Sequence, residues 1–289
     1  MCLVCGSNDH KATLFGGYAY SGRKYDIVRC RACGFMFLDP VPAAEVLDDI
    51  YKSDEYFSDY FIPGSDRLGY CEGAYERNAH HSRCLAALKR FREAGVLLDI
   101  GCAGGGFLIQ AKNAGYGVAG VEPNNRMAAA ARRATRAQVL EGNFKQSMFP
   151  AKSLDIVHLG DVLEHMPEPA AALCEISNIL KDDGLLALEQ PMTYNASLFN
   201  AFLSGQMLLK RNKYSDAAPA HLWEFNPATL RRFLEKNGFK VIWSEVYENK
   251  AKPLFVYKDA TIKNRVARAI KNMSAGCSNS RLFRKAELG

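Results

Sequence analysis

The sequence lacks the two features that would direct a chain to or across a membrane. No apolar run approaches the ~20 residues that a helix needs to cross a bilayer. The first residues, MCLVCGSND, contain no basic segment followed by an apolar one, as a signal peptide would. We therefore expect a cytoplasmic protein. In that compartment the nine cysteines are more readily thiols or metal ligands than disulfides.

The body of the chain also lacks a net charge. Of its 37 Lys and Arg and 31 Asp and Glu residues, eight basic and two acidic ones follow Tyr257, so residues 1–257 hold 29 of each sign. A nucleic-acid-binding domain would carry its basic residues on the folded body, so this balance disfavours nucleic acid as a partner. The basic tail, residues 259–289, is expected to be solvated, with contact to an anionic surface as the alternative.

Two Cys-x-x-Cys pairs stand near the start of a chain that, at 289 residues, has room for one domain and a small module. They are formed by Cys2, Cys5, Cys30 and Cys33, and each pair ends in Cys-Gly. Four thiolates at tetrahedral reach make a closed, structural zinc site, and the spacer of 24 residues predicts short strands. A redox role is the alternative, but two such pairs favour metal. We expect a zinc-ribbon-like module over residues 1–40.

The stretch LLDIGCAGGGFL, residues 97–108, predicts a buried strand, a glycine-rich turn and a helix. The helix would point its free N–H groups and positive dipole end at the turn, which suits a nucleotide-like ligand. The turn matches the dinucleotide-binding motif G-x-G-x-x-G except that Ala103 stands in place of the second glycine. The carboxylate of Asp99, however, would repel a pyrophosphate and attract a sulfonium or ammonium group.

Strands and helices alternate along the chain after this turn. Strands are predicted over 96–100, 117–122, 139–140, 153–159, 185–189, 239–246 and 253–257, with a long helix over 67–94 and a turn at 181–184. This alternation predicts an α/β fold with a doubly wound parallel sheet, whose ligands bind beyond the carboxyl ends of the strands. Asp99, Glu122, Asn143 and Asp161 all fall at such ends.

The run DIGCAGGGFL closely resembles the first motif of the class I S-adenosylmethionine (SAM) dependent methyltransferases. The runs RCRACGFMFLDPVPAAEVLDDIYKSDEYF and HLWEFNPATLRRFLEKNGF are similar to a bacterial group that joins a four-cysteine module to a class I domain. That group often acts on glycans or natural products. The resemblance implies a seven-stranded Rossmann-like methyltransferase domain over residues 95–258 and a helical connector over 41–94 that covers the cleft. The long segment 191–220 is expected to be an acceptor lid.

The resemblance also implies roles for individual residues. Glu122 would accept both ribose hydroxyls, and Asn143, where the family usually has Asp, would accept from the adenine amino group. The expected cofactor-binding residues are Asp99, Gly101, Cys102, Ala103, Gly105, Glu122, Pro123, Asn143, Phe144, Asp161 and Val162. His221 and His165 are the candidate general bases. His158, inside a strand, is expected to be a hydrogen-bonded residue of the core or of the sheet edge.

We therefore expect SAM-dependent methyl transfer to a small-molecule, glycan or nucleotide-sugar acceptor, with the sequence not choosing between an oxygen, nitrogen or carbon nucleophile. An RNA methyltransferase whose ribbon grips nucleic acid is one alternative, and the near-neutral body argues against it. A non-catalytic SAM- or zinc-binding scaffold is the other. The intact Asp99, Gly101, Gly105 and Glu122 argue against a scaffold.

Overall fold

The computed structural model describes residues 1–53, 79–192, 213–248 and 277–285. Within these residues no helix is long and apolar enough to span a bilayer. The chain divides into two compact units. The cysteine unit contains the described residues of Met1–Pro42, Pro191–Phe233 and Val246–Asn279; the sheet unit contains those of Ala43–Gln190, Leu234–Glu245 and Ser280–Gly289.

The described residues contain twelve strands and six α-helices. The strands are β1 (His10–Tyr20), β2 (Arg23–Cys30), β3 (Met36–Asp39), β4 (Val96–Ile100), β5 (Gly117–Glu122), β6 (Gln138–Glu141), β7 (Leu154–Gly160), β8 (Leu180–Met192), β9 (Tyr214–Ser215), β10 (Trp223–Glu224), β11 (Phe239–Glu248) and β12 (Cys277–Lys285). The helices are α1 (Ala44–Lys52), α2 (Ala79–Lys89), α3 (Gly106–Asn113), α4 (Asn125–Thr135), α5 (Pro169–Ile179) and α6 (Pro227–Lys236).

The cysteine unit is built on one sheet with the strand order β10-β3-β2-β1-β9. β1 and β2 form an antiparallel hairpin, and both residues of its tip, Ser21 and Gly22, have positive φ, as the twist of a two-residue hairpin turn requires. β10 pairs with β3, and the Phe35 ring lies 4.9 Å from that of Phe225. The segment around β10, which the sequence placed in the methyltransferase domain, therefore belongs to the sheet of the cysteine unit.

The sheet unit contains a sheet with the strand order β11-β12-β8-β7-β4-β5-β6. The pairs β6–β5, β5–β4, β4–β7 and β7–β8 are all parallel. Leu97 and Leu98 of β4 point to opposite faces and are both fully buried, which explains the uninterrupted apolar run of a strand covered on both sides. The predicted Rossmann-like α/β fold with a mostly parallel sheet is confirmed.

β8 runs through residues 181–184, where the sequence predicted a turn. Between the register pairs Leu154–Leu180 and Ile156–Leu185, four residues of β8 face one residue of β7. The turn-forming residues are therefore accommodated as a bulge inside one long strand.

The sequence prediction also differs at both ends of the sheet unit. Helix α2 ends at Lys89, five residues before the expected end. Part of the expected solvated tail, Cys277–Lys285, instead forms β12 between β11 and β8. Several predictions lie outside the described residues: the first part of the long helix, residues 193–212 of the lid predicted over 191–220, and the strand over 253–257. The described ends of the predicted lid contain the last residues of β8 and the short strand β9.

The buried carboxylate of Asp155 in β7 links β7 to the neighbouring strands β4 and β8 at the amino-terminal edge of the sheet. It accepts hydrogen bonds from the Val96 amide at 2.8 Å and from Lys181 Nζ at 2.8 Å, and Arg92 Nη1 lies 3.2 Å away. Burial acts to raise the pKa of Asp155, but Lys181, the Val96 amide and Arg92 outweigh it, so the pKa is lowered.

We expect Asp155→Asn to lower the free energy of unfolding by about 1–3 kcal/mol, because it removes a charge that binds two cations and keeps the side-chain size. Urea denaturation of the full chain measures this. Asp182→Asn is the matched control, since that carboxylate is 74% exposed and pairs with exposed Lys152; its change should stay within about 0.5 kcal/mol.

The stabilisation by Asp155 should also depend on pH. Because its pKa is lower in the folded than in the unfolded state, the stabilisation is present above a pH of about 3.9 and is lost as the pH falls through the folded value. The difference in stability between wild type and Asp155→Asn should therefore shrink in acid. An equal stability of the two proteins at pH 7 would contradict the role given to Asp155.

Candidate functional site

Four adjacent parallel strands end at one edge of the sheet and bring the predicted polar residues together. Asp99 is the penultimate residue of β4, Glu122 is the last residue of β5, and Asp161 follows β7 directly. Asn143 lies two residues beyond the end of β6. Because ligands of open parallel sheets bind at the carboxyl ends of the strands, this edge is the candidate site.

The glycine-rich turn after β4 lies against the loop after β7. Gly101 has a φ of +73°, and a Cβ at this position would lie 2.5 Å from Val162 Cγ2. Gly105, at φ +85°, immediately precedes α3, and Ala103 between them also has a positive φ. The turn thus needs glycine both for its backbone conformation and for its close approach to Val162.

The carboxylate of Glu122 holds the glycine-rich turn to the start of α4. Its Oε2 accepts a hydrogen bond from the Ala103 amide at 2.9 Å, and its Oε1 accepts one from the Asn124 amide at 2.8 Å. The side chain is buried, and burial raises its pKa to about 7, although the two amides act in the opposite direction. A carboxylate has about four lone-pair sites, so Glu122 keeps acceptor capacity for ligand hydroxyls.

Asp99 is paired with a histidine of the neighbouring strand. Its Oδ1 lies 2.7 Å from His158 Nδ1, and His158 Nε2 lies 3.2 Å from Glu189 Oε1 of β8. The imidazole also stacks on Phe107, with ring centroids 3.7 Å apart. Asp99 was expected to attract a ligand cation directly, but in the structure its carboxylate is hydrogen-bonded to His158. His158 itself is buried and hydrogen-bonded in the core, one of the two locations that the sequence predicts.

Burial and charge act against each other in this group. Burial alone would lower the pKa of His158, but Asp99 and the hydrogen bonds around the ring raise it well above its ordinary value. Cys84 Sγ also lies within 4.8 Å of the ligating atoms of His158 and Glu189. Since the imidazole has a carboxylate at each nitrogen, the protonated ring is the form that this surrounding favours.

The predicted residue Cys102 has its side chain in the hydrophobic core. It is 4% exposed and packs in the cluster that includes Leu108, and burial raises its pKa well above the ordinary value. The Cys102 amide donates to the Val121 carbonyl at 3.1 Å. Pro123 and Phe144, by contrast, are half-buried next to Glu122 and Asn143.

Helix α1 lies along the candidate edge, and the sequence did not identify its site residues. Asn143 Nδ2 donates to Asp48 Oδ1 at 3.0 Å. One helical turn later, the Tyr51 carbonyl lies 3.5 Å from Asn124 Nδ2. The spacing of three between Asp48 and Tyr51, which places both on one face of a helix, was the available signal.

His165 lies in a short 3₁₀ turn after β7 and has polar groups at both ring nitrogens. The Tyr51 hydroxyl lies 2.9 Å from Nδ1, and Glu164 Oε1 lies 3.8 Å from Nε2. Buried Glu164 also accepts a hydrogen bond from Gln190 Nε2 at 2.9 Å. An imidazole beside a fixed carboxylate is an arrangement that accepts a proton and stabilises the resulting cation.

His221, the other candidate base, belongs to the cysteine unit. It lies just before β10, and its Nδ1 is 3.4 Å from Glu224 Oε1. The side chain is 31% exposed. The two candidate bases are therefore held by different units of the chain, each beside a carboxylate.

The four cysteine sulfurs of the cysteine unit converge on one point. All four Sγ atoms lie within 4.8 Å of one another, and the pairs Cys2–Cys33 and Cys5–Cys30 are 3.6 Å apart. Four sulfurs around Zn²⁺ at about 2.3 Å would be separated by about 3.8 Å. Burial acts to raise the pKa of Cys30, but hydrogen bonds from backbone amides and neighbouring thiols lower it to about 7. The donor set fits a zinc ion.

Comparison with known proteins identifies one family over much of the chain. A family described as a methyltransferase domain matches residues 74–244, which are 171 of the 289 residues. The matched segment includes all four strand ends of the candidate site.

Individual relatives and solved structures agree with this match. A sterol 24-C-methyltransferase of Pneumocystis carinii is 25% identical over 201 residues, which are 64% of this chain and 51% of that protein. A ubiquinone biosynthesis O-methyltransferase of Rhodopseudomonas palustris is 31% identical over 118 residues, 39% of this chain and 44% of that protein. The chain therefore spans about half the length of the curated relatives it matches.

The fold is shared with magnesium protoporphyrin IX methyltransferase of Synechocystis PCC 6803, solved with bound SAH. The TM-score is 0.55 at 15% identity, over 84% of this chain and 100% of that chain. At this identity the likeness establishes the fold.

Proposed function

Since the chain belongs to the methyltransferase domain family, we propose that it transfers a methyl group from SAM to a small-molecule or glycan acceptor. The observation that carries the proposal is the buried Glu122 carboxylate, which ends β5 and is bonded to the glycine-rich turn. This turn, with the adjoining strand ends, would hold the cofactor. When bound, SAM supplies a methyl group that its sulfonium has already activated.

The residues of the edge divide the binding task. Glu122 would accept the ribose hydroxyls with its remaining lone pairs, and Asn143 on the next strand end would accept from the adenine amino group. Gly101 and Gly105 keep the backbone of the turn free of side chains for the close approach of the ligand. Asp161 and Val162 would line the site on the other side of the turn.

The acceptor is proposed to be a hydroxyl or an acidic carbon that must lose a proton. The relatives described above are named as a sterol 24-C-methyltransferase and a ubiquinone biosynthesis O-methyltransferase, so by their names they methylate carbon and oxygen. His165 would take the proton, because Glu164 lies beside its Nε2 and Tyr51 orients its ring. The balanced charge of residues 1–257 favours a small acceptor over RNA.

We expect Glu122→Gln to weaken SAM binding by about 10- to 100-fold, the loss of one or two charge-assisted hydrogen bonds. Isothermal titration with SAM, beside a thermal melt of each protein, measures this. Glu141→Gln is the matched control, because Glu141 pairs in register with Glu122 and its carboxylate is 51% exposed. An unchanged affinity of Glu122→Gln would remove Glu122 from the ribose role.

The SAM affinity of the wild type should rise as the pH increases through about 7, where Glu122 ionises. The ionised form offers more acceptor sites and a negative charge to the ribose hydroxyls and the cationic ligand. Glu122→Gln should lack this dependence. A wild-type affinity that is constant between pH 6 and 8 would contradict the ionisation of Glu122 as the controlling event.

The base is tested by comparing His165→Ala with His221→Ala. We expect His165→Ala, which removes the proposed general base, to lower the methyl-transfer rate by roughly 10²–10⁴ at saturating SAM, with SAM affinity nearly unchanged. Single-turnover rates require an acceptor, which mass-spectrometric screening of small-molecule, nucleotide-sugar and RNA acceptors would supply. Near wild-type rates in both variants would indicate an acceptor that needs no base, and methylation of RNA would refute the acceptor class.

We also propose that Cys2, Cys5, Cys30 and Cys33 hold a structural zinc ion. The convergence of four thiols and the tight Cys-Gly turns support it: the Gly6 amide donates to the Cys2 carbonyl at 2.8 Å and the Gly34 amide to the Cys30 carbonyl at 3.0 Å. Four protein ligands leave no open coordination position, so the ion would stabilise the unit without taking part in the reaction.

Cys30→Ser should release about one equivalent of zinc per chain, because it removes one of four ligands. Elemental analysis of the purified chain measures the metal, and hydrogen exchange should show loss of protection over residues 1–40. Cys174→Ser is the control, since Cys174 is an exposed thiol of the sheet unit. Purified wild type that carries no zinc and has disulfides among these four cysteines would contradict the proposal.

A further inference from the structure

We propose that Asp48 sets the base specificity of the nucleoside site by fixing the orientation of the Asn143 amide. The site would then accept a base with an amino group at the recognised position and discriminate against one with a carbonyl there. This inference rests on the proposed SAM-binding function and extends it to a residue outside the matched segment, which begins at residue 74.

The position of Asn143 suits contact with a base. Glu141 pairs in register with Glu122, and the Gly142 amide donates to the Glu122 carbonyl at 3.0 Å. Asn143 therefore lies just beyond the end of β6, next to the end of β5 that carries Glu122, the expected ribose-binding residue. A nucleoside whose ribose is bound at Glu122 can extend its base over the end of the adjacent strand, where the Asn143 side chain is exposed.

Asp48 decides which way the amide of Asn143 points. Its Oδ1 lies 3.0 Å from Asn143 Nδ2, and its Oδ2 accepts from Lys52 Nζ at 2.7 Å. The Lys52 ammonium and the Asn143 amide lower the pKa of Asp48, so the carboxylate is ionised and only accepts hydrogen bonds. The NH₂ group of the amide must therefore face Asp48, and the amide oxygen must face away from it.

A fixed amide oxygen discriminates between bases. Adenine offers an amino group that donates to this oxygen. Hypoxanthine has a carbonyl at the same ring position, and two acceptors would then face each other. An amide that is free to rotate would present its NH₂ group to the carbonyl instead. Specificity of this kind depends on which hydrogen-bonding group is held in place.

The same contact accounts for Asn at a position where the resembled family usually has Asp. An aspartate at position 143 would place its carboxylate about as far from Asp48 as the amide nitrogen is now, 3.0 Å. Two carboxylates at that distance disfavour each other's ionisation. Asn143 keeps an acceptor oxygen towards the base and gives Asp48 a donor.

The test measures dissociation constants of S-adenosylhomocysteine and S-inosylhomocysteine, which differ at the recognised group. Wild type should prefer the adenosyl ligand. Asp48→Ala frees the amide, so we expect the ratio of the two constants to fall by about tenfold. Asp49→Asn is the matched control, because it removes a negative charge from an exposed neighbour on the same helix; its ratio should equal that of wild type.

A reciprocal pair of variants checks the geometry. Asn143→Asp should weaken binding of the adenosyl ligand by about tenfold, through repulsion from Asp48. The double variant Asp48→Asn/Asn143→Asp should restore affinity to within about threefold of wild type, because donor and acceptor exchange positions. Thermal melts confirm that each protein is folded.

The outcomes separate this inference from the function on which it rests. A wild-type chain that binds neither ligand would contradict the proposed function and this inference together. A wild type that binds the adenosyl ligand, with an unchanged ratio in Asp48→Ala or no recovery in the double variant, would overturn the role of Asp48 alone.

Discussion

A buried imidazole between two carboxylates connects the three central strands of the sheet unit. His158 of β7 bonds Asp99 of β4 on one side and Glu189 of β8 on the other. Because all three side chains are almost fully buried, removing one partner would leave an uncompensated charge in the interior, which costs far more than a surface ion pair is worth. The stacked ring of Phe107 extends this constraint to α3. The glycine-rich turn lies between Asp99 and Phe107, so the contacts of His158 with these two residues hold both ends of the turn.

Glu122 adds a second constraint at the carboxyl edge of the same strands. Its two bonds to backbone amides join the turn after β4 to the start of α4, and helix α1 then crosses the edge through Asp48 and Tyr51. Two side-chain contacts of α1, Asp48 with Asn143 and Tyr51 with His165, involve residues whose expected roles are cofactor binding and proton transfer. The helix that precedes the sheet in sequence thus completes the site, with side chains that orient others.

The cysteine unit shows how chain segments far apart in sequence share one core. β3 pairs with β10, nearly two hundred residues later, and Phe35 packs against Phe225 and Trp223. The aromatic rings bury the area that a module of about 40 residues lacks when it folds alone. The first segment of the unit, residues 1–42, is too short to form a sufficient core by itself. The packing of these rings and the four converging cysteines stabilise the unit.

The sequence by itself determined the Rossmann-like α/β fold, the glycine-rich turn and the four strand ends, because apolar runs and glycines act through local backbone preferences. It also determined the cysteine pairs as a candidate metal site. Only the tertiary structure decided that Asp99 is paired with His158, that Asp48 orients Asn143, and that β12 and β10 join distant strands. These are contacts between residues separated by tens to hundreds of positions. No local pattern specifies them, because they arise when the packed strands and helices bring their side chains together.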